Sequence, residues 1–244
     1  MNILKPSYRI VRSTGDMLDA IEEAARVCYL SEPKDTLELR EFHTMIDQDI
    51  PFDKFVQKRF IEGLIKVGHQ TPFEFGDIEI EFICNRGVSH EAVRHRLMSP
   101  MQESTRYCNY SKDGKHNGIG VIDPIFYDKE EAVRYVKHHT DNSLKLMNKF
   151  DVWFECIRVA EWGYNTLLDM GSKPQEARDV LPTALKTKLK MKANVREWWH
   201  IFSVRAVSKA AHPQIREVMI PALEECQEKW PILFNHLNWG KLEI

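Results

Sequence analysis

Residues 185–205, LKTKLKMKANVREWWHIFSVR, place a strand immediately before a helix. Every second position from Lys186 to Lys192 is lysine, and alternate side chains of a strand point to opposite faces, so the predicted strand has one lysine-rich face. From Asn194 onward the apolar spacing becomes helical, and Trp198 and Phe202 are candidates for the core. The rest of the chain adds further elements of both kinds.

Similar patterns predict the other strands and helices. Strands are predicted at 8–12 and 77–84, the latter half-solvated because isoleucines alternate with glutamates, and 30–51 is predicted to be loop. Helices are predicted at 17–29 with Ser13 or Thr14 as cap, 52–67 ending at Gly68, about 89–97 capped by Ser89, 175–180, and 213–230. Without a βαβ series, this indicates an α+β fold: a helix-rich single domain over 1–244 with a central, mostly antiparallel sheet.

Residues 129–170 lack proline and carry apolar residues at helical spacing. One helix of ~40 residues would be ~60 Å long, against ~45 Å expected across a compact domain of this size. We therefore expect a break near Thr140-Asp141-Asn142, an extension against another subunit, or some of both.

Composition limits the classes of protein to consider. The 34 basic and 36 acidic residues nearly balance, which argues against non-specific nucleic-acid binding by the whole surface. Five cysteines, an odd number without a C-x-x-C pair, indicate reduced thiols rather than a disulfide framework. No signal peptide or membrane span is evident, so we expect a soluble, cytoplasmic protein.

The segment 94–107, RHRLMSPMQESTRY, is the most informative about function. Its consecutive basic residues Arg94, His95 and Arg96 are tolerable only in water or beside anions, and the planar fork of arginine suits phosphate or carboxylate. On the predicted helix Arg94 and Arg96 point about 200° apart, which favours two anionic groups or two ligands. The alternative is a solvated helix face with arginines in surface ion pairs.

The positions after this cluster predict a hydrogen-bonding strip. If 102–110 is extended, Gln102, Ser104 and Arg106 line one side and offer an amide, a hydroxyl and a guanidinium to a phosphorylated ligand. An exposed polar strand face is the alternative. Ser104 lacks a G-x-S-x-G elbow and an evident histidine–carboxylate relay, so we assign it to binding rather than to nucleophilic catalysis.

A second arginine set follows in Arg178 and Arg205. Asn194 and Val195 stand at the amino end of the predicted helix, where free N–H groups attract anions. Arg205 has apolar neighbours that a solvated arginine does not require. The alternative is a helix that packs its aromatic residues inward and exposes its polar positions.

Other kinds of site are not indicated. A P-loop and a G-x-G-x-x-G fingerprint are absent, so a nucleotide would be bound by side chains and helix ends. His90 and His95 resemble the H-E-x-x-H zinc motif, but five positions on a helix diverge by about 140° where four share a face. No metal ligand set is predicted.

Together these motifs resemble the flavin-dependent thymidylate synthase family. The family signature, R-H-R, seven residues and a serine, is present as Arg94-His95-Arg96 and Ser104. The resemblance extends over about residues 55–220, in the motifs H-x-T-P-F-E from His69, S-x-R-Y from Ser104, R-x-V-L-P from Arg178, and N-x-R from Asn194 with Arg205 farther on.

The resemblance implies the family fold and a homotetramer with active sites where subunits meet. It implies bound FAD, which NADPH reduces, and methylation of dUMP to dTMP with carbon from 5,10-methylenetetrahydrofolate, and Arg205 would be catalytic by stabilising the ionised uracil. The residues implied to contact FAD are Thr71, Arg94, His95, Arg96, Gln102, Asn194, Val195, Arg196 and His200. Those implied to surround dUMP are Glu91, Ala92, Val93, Arg94, Gln102, Glu103, Ser104, Thr105, Arg106, Arg178 and Arg205.

Four positions depart from the commonest family residues. They are Phe75, Met101, Gln102 and His200. A rival hypothesis, a phosphate- or RNA-binding module built on the same arginines, predicts no chromophore and strong salt dependence. A third hypothesis, a structural oligomer, predicts neither.

Overall fold

The computed structural model describes residues 1–28, 51–111 and 118–237 of the chain. The strands are β1 (Asn2–Leu4), β2 (Ser7–Ser13), β3 (Asp77–Asn85), β4 (Ser99–Gln102), β5 (Gly120–Ile122), β6 (Arg134–Lys137), β7 (Leu144–Met147) and β8 (Lys186–Asn194). The α-helices are α1 (Met17–Val27), α2 (Phe52–Val67), α3 (Arg86–Ala92), α4 (Lys149–Asp169), α5 (Pro174–Ala177), α6 (Val195–Phe202), α7 (Pro213–Lys229) and α8 (Pro231–Phe234). The loop predicted at 30–51 lies, but for residue 51, outside the described residues.

The central sheet has the strand order β2-β3-β8-β4 and is antiparallel, as the sequence predicts. Two smaller sheets pair β1 with β5 in parallel and β6 with β7 in antiparallel register. Among the described residues no helix is both long and apolar enough to span a membrane.

The lysine-rich face predicted for β8 is present. Leu189 and Met191 are buried, whereas Lys190 and Lys192 reach the acidic residues of β3. Lys190 Nζ lies 2.8 Å from Glu79 Oε1, and Lys192 Nζ lies 3.0 Å from an oxygen of Asp77. Opposite charges on neighbouring strands favour this pairing.

The acidic face of β3 is less solvated than predicted. Glu81 is buried, and the guanidinium of Arg9 on β2 covers it, with Nε 2.9 Å from Oε1. A sequence pattern shows that glutamate alternates with isoleucine, but it does not show that a long arginine will lie over the carboxylate.

The termini of the helices agree with prediction in some places and not in others. Helix α2 ends at Gly68, whose φ of 74° is the left-handed conformation that glycine adopts without strain. The cap predicted for α1 is wrong: Asp16 precedes the helix, and neither Ser13 nor Thr14 caps it. Thr14 Oγ1 instead accepts the backbone N–H of Asp77, because the neighbouring strand provides a donor.

Residues 129–170 do break at the predicted position, but the first half is a hairpin rather than a helix. Strands β6 and β7 flank a turn in which Asn142 has a φ of 55°. Helix α4 then begins at a capping box, in which Asn148 Oδ1 accepts the N–H of Asp151 and the Asp151 carboxylate accepts the N–H of Asn148. Two local features of the sequence indicate a helix that begins only after residue 147. They are the alternation of apolar and polar residues in Leu144–Met147 and the capping pair Asn148 and Asp151.

The chain forms two compact units. The first unit comprises 1–7, 82–94 and 101–189, and the second comprises 8–81, 95–100 and 190–244. Because each unit is assembled from separate segments, neither is a continuous stretch, and the single domain over 1–244 stays a prediction.

Each unit has its own core. In the first unit Ile157 and Tyr164 of α4 pack with Val121 of β5 and with Tyr110, whose backbone N–H donates to the Tyr164 hydroxyl at 3.2 Å. In the second unit Trp198 is fully buried, stacks on Phe202 and donates from Nε1 to the carbonyl of Ile78 at 3.0 Å. Burying the indole N–H with a partner avoids the penalty of an unsatisfied donor.

Candidate functional site

The Arg94-His95-Arg96 cluster lies in a turn, not on a helix. Helix α3 begins earlier than predicted, because Asn85 rather than Ser89 caps it by accepting the N–H of Val88 at 2.7 Å, and it ends at Ala92. Ser89 is therefore within the helix, where its hydroxyl donates to the carbonyl of Arg86. The helical angle predicted between Arg94 and Arg96 does not apply.

The three members of the cluster differ in exposure. Arg94 and Arg96 are exposed, whereas His95 between them is buried, with 6% of its side chain exposed. The exposed guanidiniums of Arg94 and Arg96 are accessible to an anion, whereas the imidazole of His95 packs inside the protein.

His95 is neutral and bonded to the predicted catalytic arginine. Burial, followed by the nearby charges of Arg205 and His200, lowers the pKa of His95 to about 4. Its Nε2 accepts a hydrogen bond from Arg205 Nε at 3.2 Å. Glu197 Oε1 lies 3.9 Å from Nδ1, and because the ring is neutral near pH 7 this contact is not a salt bridge.

Arg205 is presented by an irregular turn. Helix α6 continues into the π-helical segment Ser203–Val207, which the Ser208 N–H closes on the carbonyl of Ser203 at 3.0 Å. The segment leaves Arg205 half-buried beside the buried Ala206. Such π segments are frequent at functional sites, since the extra residue changes the direction of one side chain.

A large pocket in the second unit contains several of the predicted flavin-contacting residues. Its volume is about 660 Å³. We call it the histidine pocket, lined by Gln70, Glu74, Leu97, Asn194, Arg196, Glu197, Trp199, His200, Ser203, His236 and Leu237. The buried Trp199 is held by a bond from Nε1 to the carbonyl of Leu233 at 2.8 Å, which gives the pocket a fixed aromatic wall.

Charges of both signs meet in the histidine pocket. Arg196 pairs with Glu74, which belongs to the 3-10 helix Thr71–Phe75. Thr71, a predicted flavin contact, is exposed at the start of this helix. Any anion that recruits Arg196 therefore competes with Glu74.

The amino end of α6 offers fewer free donors than predicted. The N–H of Val195 donates to the carbonyl of Gly76 at 2.8 Å, and that of Glu197 donates to Asn194 Oδ1 at 2.8 Å. Val195 is also fully buried. The predicted anion attraction at Val195 is thus weakened, because tertiary and capping contacts already use these donors.

A smaller pocket in the first unit contains the other arginine set. We call it the arginine pocket, lined by Arg86, His90, Thr105, Arg178, Asp179, Leu181, Pro182, Thr183 and Leu185. Its volume is about 230 Å³, and Arg178 Nη1 donates to the buried Thr105 Oγ1 at 3.3 Å. The lining contains the guanidiniums of two arginines and one imidazole but only one carboxylate, that of Asp179. This excess of donors suits a phosphate.

The strip predicted at Gln102, Ser104 and Arg106 does not form. The carbonyl of Ser104 accepts the N–H groups of both Tyr107 and Cys108, so the chain turns where an extended strand was predicted. Gln102 Nε2 instead donates to Ser89 Oγ at 2.8 Å, and Arg106 Nη2 donates to the Tyr107 hydroxyl. Period-2 spacing cannot reveal a turn without glycine or proline.

Glu103, a predicted dUMP contact, is bonded within the protein. Its carboxylate accepts from Lys186 Nζ at 2.7 Å and from the Tyr110 hydroxyl at 2.7 Å. Burial alone would raise the pKa of Glu103, but these hydrogen bonds outweigh it and lower the pKa. Among the other residues implied to surround dUMP, Glu91 is half-buried, Ala92 is buried and Val93 is exposed.

Three residues around the pockets have no role predicted from the sequence. Arg86 follows the cap Asn85, and recognising that cap would have placed Arg86 at a helix start after a strand. The sequence around His90 matches only the incomplete zinc motif, which gives no signal for a phosphate site. Glu197 stands three residues after Asn194, the position of a first-turn acid, which was not given a role.

Among the described residues, one group could hold a metal ion by proximity: His138, His139 and Glu155, whose ligand atoms lie within 4.8 Å of one another. Arg158 Nη1 lies 3.2 Å from Glu155 Oε2, and a guanidinium this close repels a cation. We assign the group no role in either pocket.

Comparison with known proteins gives consistent matches. The family profile "Thy1: Thymidylate synthase complementing protein" matches residues 9–232. A flavin-dependent thymidylate synthase of Geobacter sulfurreducens is 28% identical over 235 residues, covering 96% of this chain and 87% of that protein. One of Synechocystis sp. is 28% identical over 190 residues, covering 74% and 80%.

The fold also matches a solved structure. The UMP/dUMP methylase PolB from Streptomyces cacaoi, bound with 5-Br UMP, superposes with a TM-score of 0.67 at 20% identity, covering 96% of this chain and 95% of that one. At this identity the likeness shows the fold alone, and it confirms the predicted fold class.

Proposed function

The chain belongs to the Thy1 family of thymidylate synthase complementing proteins, and on that premise we propose that it is an FAD-dependent thymidylate synthase. It converts dUMP to dTMP with 5,10-methylenetetrahydrofolate as carbon donor and NADPH as reductant of the flavin, and tetrahydrofolate is released. The observation that carries the proposal is the family match over residues 9–232, which includes all the residues implied to contact FAD or dUMP.

The arginine pocket supports a nucleotide phosphate site. Arg178, positioned by Thr105, and Arg86, whose Nη1 donates to the carbonyl of Glu103 at 3.2 Å, are held before any ligand arrives. The exposed guanidinium of Arg106 and the hydroxyl of Ser104 add donors on the neighbouring turn. Gln102 and Glu103 position this segment, since their side chains bond to other parts of the first unit.

The histidine pocket fits a flavin nucleotide. It offers the polar groups of Asn194, Arg196 and His200 beside the aromatic wall of Trp199. The exposed Arg96 supplies a further cation for the diphosphate. When bound, FAD supplies the hydride-accepting ring.

Arg205 supports the chemical step. C5 of uracil attacks carbon only as electron density builds on the ring, and a guanidinium fixed in advance stabilises that charge without reorganising. Ser104 acts in binding, because the described residues around it include no base bonded to its hydroxyl.

Exposed apolar side chains on α4 support the proposed homotetramer. Val152, Val159 and Trp162 fall on one side of the helix, and Trp162 is 68% exposed. An apolar patch of this kind on a water-soluble surface marks a protein contact. The number of subunits comes from the family resemblance, and sedimentation showing an active monomer at micromolar concentration would contradict it.

The five cysteines support a reducing compartment. All five lie among the described residues and none is in a disulfide. We accordingly place the reaction in the cytoplasm.

The proposal is tested first by colour and then by product. We expect the purified protein to be yellow, to bleach with NADPH, and to form dTMP from dUMP only when 5,10-methylenetetrahydrofolate is present, with UMP as the control substrate. A colourless preparation that does not take up added FAD would reject the enzyme and favour the phosphate-binding alternative, which then has to show strong salt dependence.

A further inference from the structure

We propose that His95 and Glu197 are positioning residues that hold Arg205 in place for catalysis. This differs from the role implied for His95 by the family resemblance, which is contact with FAD. It rests on the proposed function for the meaning of Arg205, but the arrangement of the three side chains stands independently of it.

The tautomer of His95 follows from its partners. The Nε of an arginine side chain is a hydrogen-bond donor and not an acceptor, so His95 Nε2, 3.2 Å away, must be the acceptor. A neutral imidazole that accepts at Nε2 carries its hydrogen on Nδ1. That hydrogen is on the side of Glu197 Oε1, which lies 3.9 Å from Nδ1.

Glu197 is placed to favour this tautomer. It stands in the first turn of α6, where Asn194 Oδ1 accepts its backbone N–H, so the position of its backbone is fixed. Burial raises the pKa of Glu197, with His200 opposing, and the positive end of the helix dipole also favours the ionised form. A carboxylate facing Nδ1–H stabilises the ring that accepts at Nε2.

The consequence for Arg205 is orientation. The bond from Nε fixes one edge of the guanidinium, so His95 restricts the rotation of the Arg205 side chain. His95 is buried and its ring packs edge-on against His200 at 5.5 Å between centroids, so it provides a rigid acceptor. A guanidinium whose direction is set before substrate binds loses less freedom in the transition state.

A double-mutant cycle tests the coupling. We expect His95→Ala to lower kcat per bound flavin by roughly 10- to 100-fold, less than the loss of a charge-stabilising donor itself, with dUMP KM nearly unchanged. In an Arg205→Ala background, His95→Ala should add little, because the group it positions is gone. His95→Gln should recover much of the rate, since its amide oxygen can replace Nε2 as acceptor.

Glu197→Gln tests the second link and has a matched control. Glu197→Gln should lower kcat and leave flavin occupancy intact, whereas Glu81→Gln, which changes an equally buried glutamate paired with Arg9, should leave kcat unchanged. Each of three outcomes would overturn the proposal. They are a double mutant in which the two reductions in kcat multiply, a His95→Gln variant that does not recover kcat, and a Glu197→Gln variant whose kcat equals that of Glu81→Gln.

A spectroscopic arm separates this proposal from the proposed function. In protein labelled with ¹⁵N-histidine, the His95 signals, assigned by their loss in His95→Gln, should show the Nδ1–H tautomer. An Nε2–H tautomer would overturn the positioning role even in a fully active enzyme. Absence of dTMP formation by the wild type with the Nδ1–H tautomer intact would reject the thymidylate synthase and leave the side-chain arrangement supported.

Discussion

The arginine pocket and the histidine pocket differ in size, charge and the state of their cations. The first is about 230 Å³ and presents Arg86 and Arg178 already oriented by bonds to neutral groups. The second is about 660 Å³ and balances Arg196 against Glu74, with an aromatic wall. A small pocket in which cations outnumber the one carboxylate suits a phosphate, whereas a larger one beside an indole suits a ring system.

The difference also concerns what lies behind each wall. Behind the histidine pocket, Glu197 Oε1 faces Nδ1 of the neutral His95, and Nε2 of His95 accepts a hydrogen bond from Arg205. The arginine pocket is backed by neutral and hydrogen-bonded groups such as Thr105. We therefore expect substitutions near the arginine pocket to change substrate affinity, and those around Arg205 to change turnover.

The largest expected effect is that of Arg205→Ala. Losing one fixed charge-stabilising donor costs about 3 kcal/mol, roughly a hundredfold in dTMP formation, while bound flavin should remain. Arg205→Lys should restore little, because an ammonium cannot present the planar fork. Single-turnover dTMP production is measured beside flavin occupancy, with Arg12→Ala as the control arginine in a surface pair. Near-native turnover, or flavin loss as large as in Arg96→Ala, would refute the division of arginines between ligands.

Acid should destabilise the protein through His95. Its pKa is about 4 in the folded state against 6.5 unfolded, so the unfolded state binds more protons between these values. The contribution of His95 to the free energy of unfolding is therefore complete above pH 6.5 and is lost as pH falls towards 4. This contribution is about 3 kcal/mol at most. Urea unfolding across this range should show a shallower dependence in His95→Gln. Identical pH profiles for the variant and the wild type would contradict the buried, neutral ring.

Arg178→Ala tests the arginine pocket. A hydrogen bond to a charged group contributes about 1.5–3 kcal/mol, so dUMP KM should rise roughly 10- to 100-fold while flavin occupancy stays unchanged. Arg158→Ala, which removes an exposed arginine paired with Glu155 in the same unit, is the control. A fall in kcat at unchanged KM would mean that this pocket does not hold the nucleotide.

The smallest expected effect belongs to the exposed pair in the histidine pocket. Arg196→Ala should weaken FAD binding by about 1 kcal/mol, because the pair is exposed and solvent screens its contribution. Glu74→Gln should act in the opposite direction, since it frees Arg196 for the ligand. Flavin dissociation constants for the two variants check the signs, and weakening in both would show that the pair acts through structure rather than charge.

The sequence predicted elements best where one pattern covered the whole element. The alternation of β8, the helix after Asn194 and the stop at Gly68 were correct, since each rests on a local preference of the backbone. The prediction failed at 129–148, where the apolar spacing is compatible with both a helix and a strand. Pairing of β6 with β7 stabilises the hairpin there. The prediction also failed at 102–110, where a turn formed without glycine or proline, and the Ser104 hydroxyl accepts the N–H of Arg106 within that turn.

The sequence by itself determined the family, the fold class and which residue types were available: the arginines, the lysine-rich strand and the aromatic helix. Tertiary structure alone decided how they are used. It buried His95 between two exposed arginines, paired the N–H of Val195 with the carbonyl of Gly76, and brought Arg205 onto an imidazole 110 positions away. The physical reason is that burial and hydrogen-bond partners depend on residues distant in the chain, and these set the protonation and direction of a side chain.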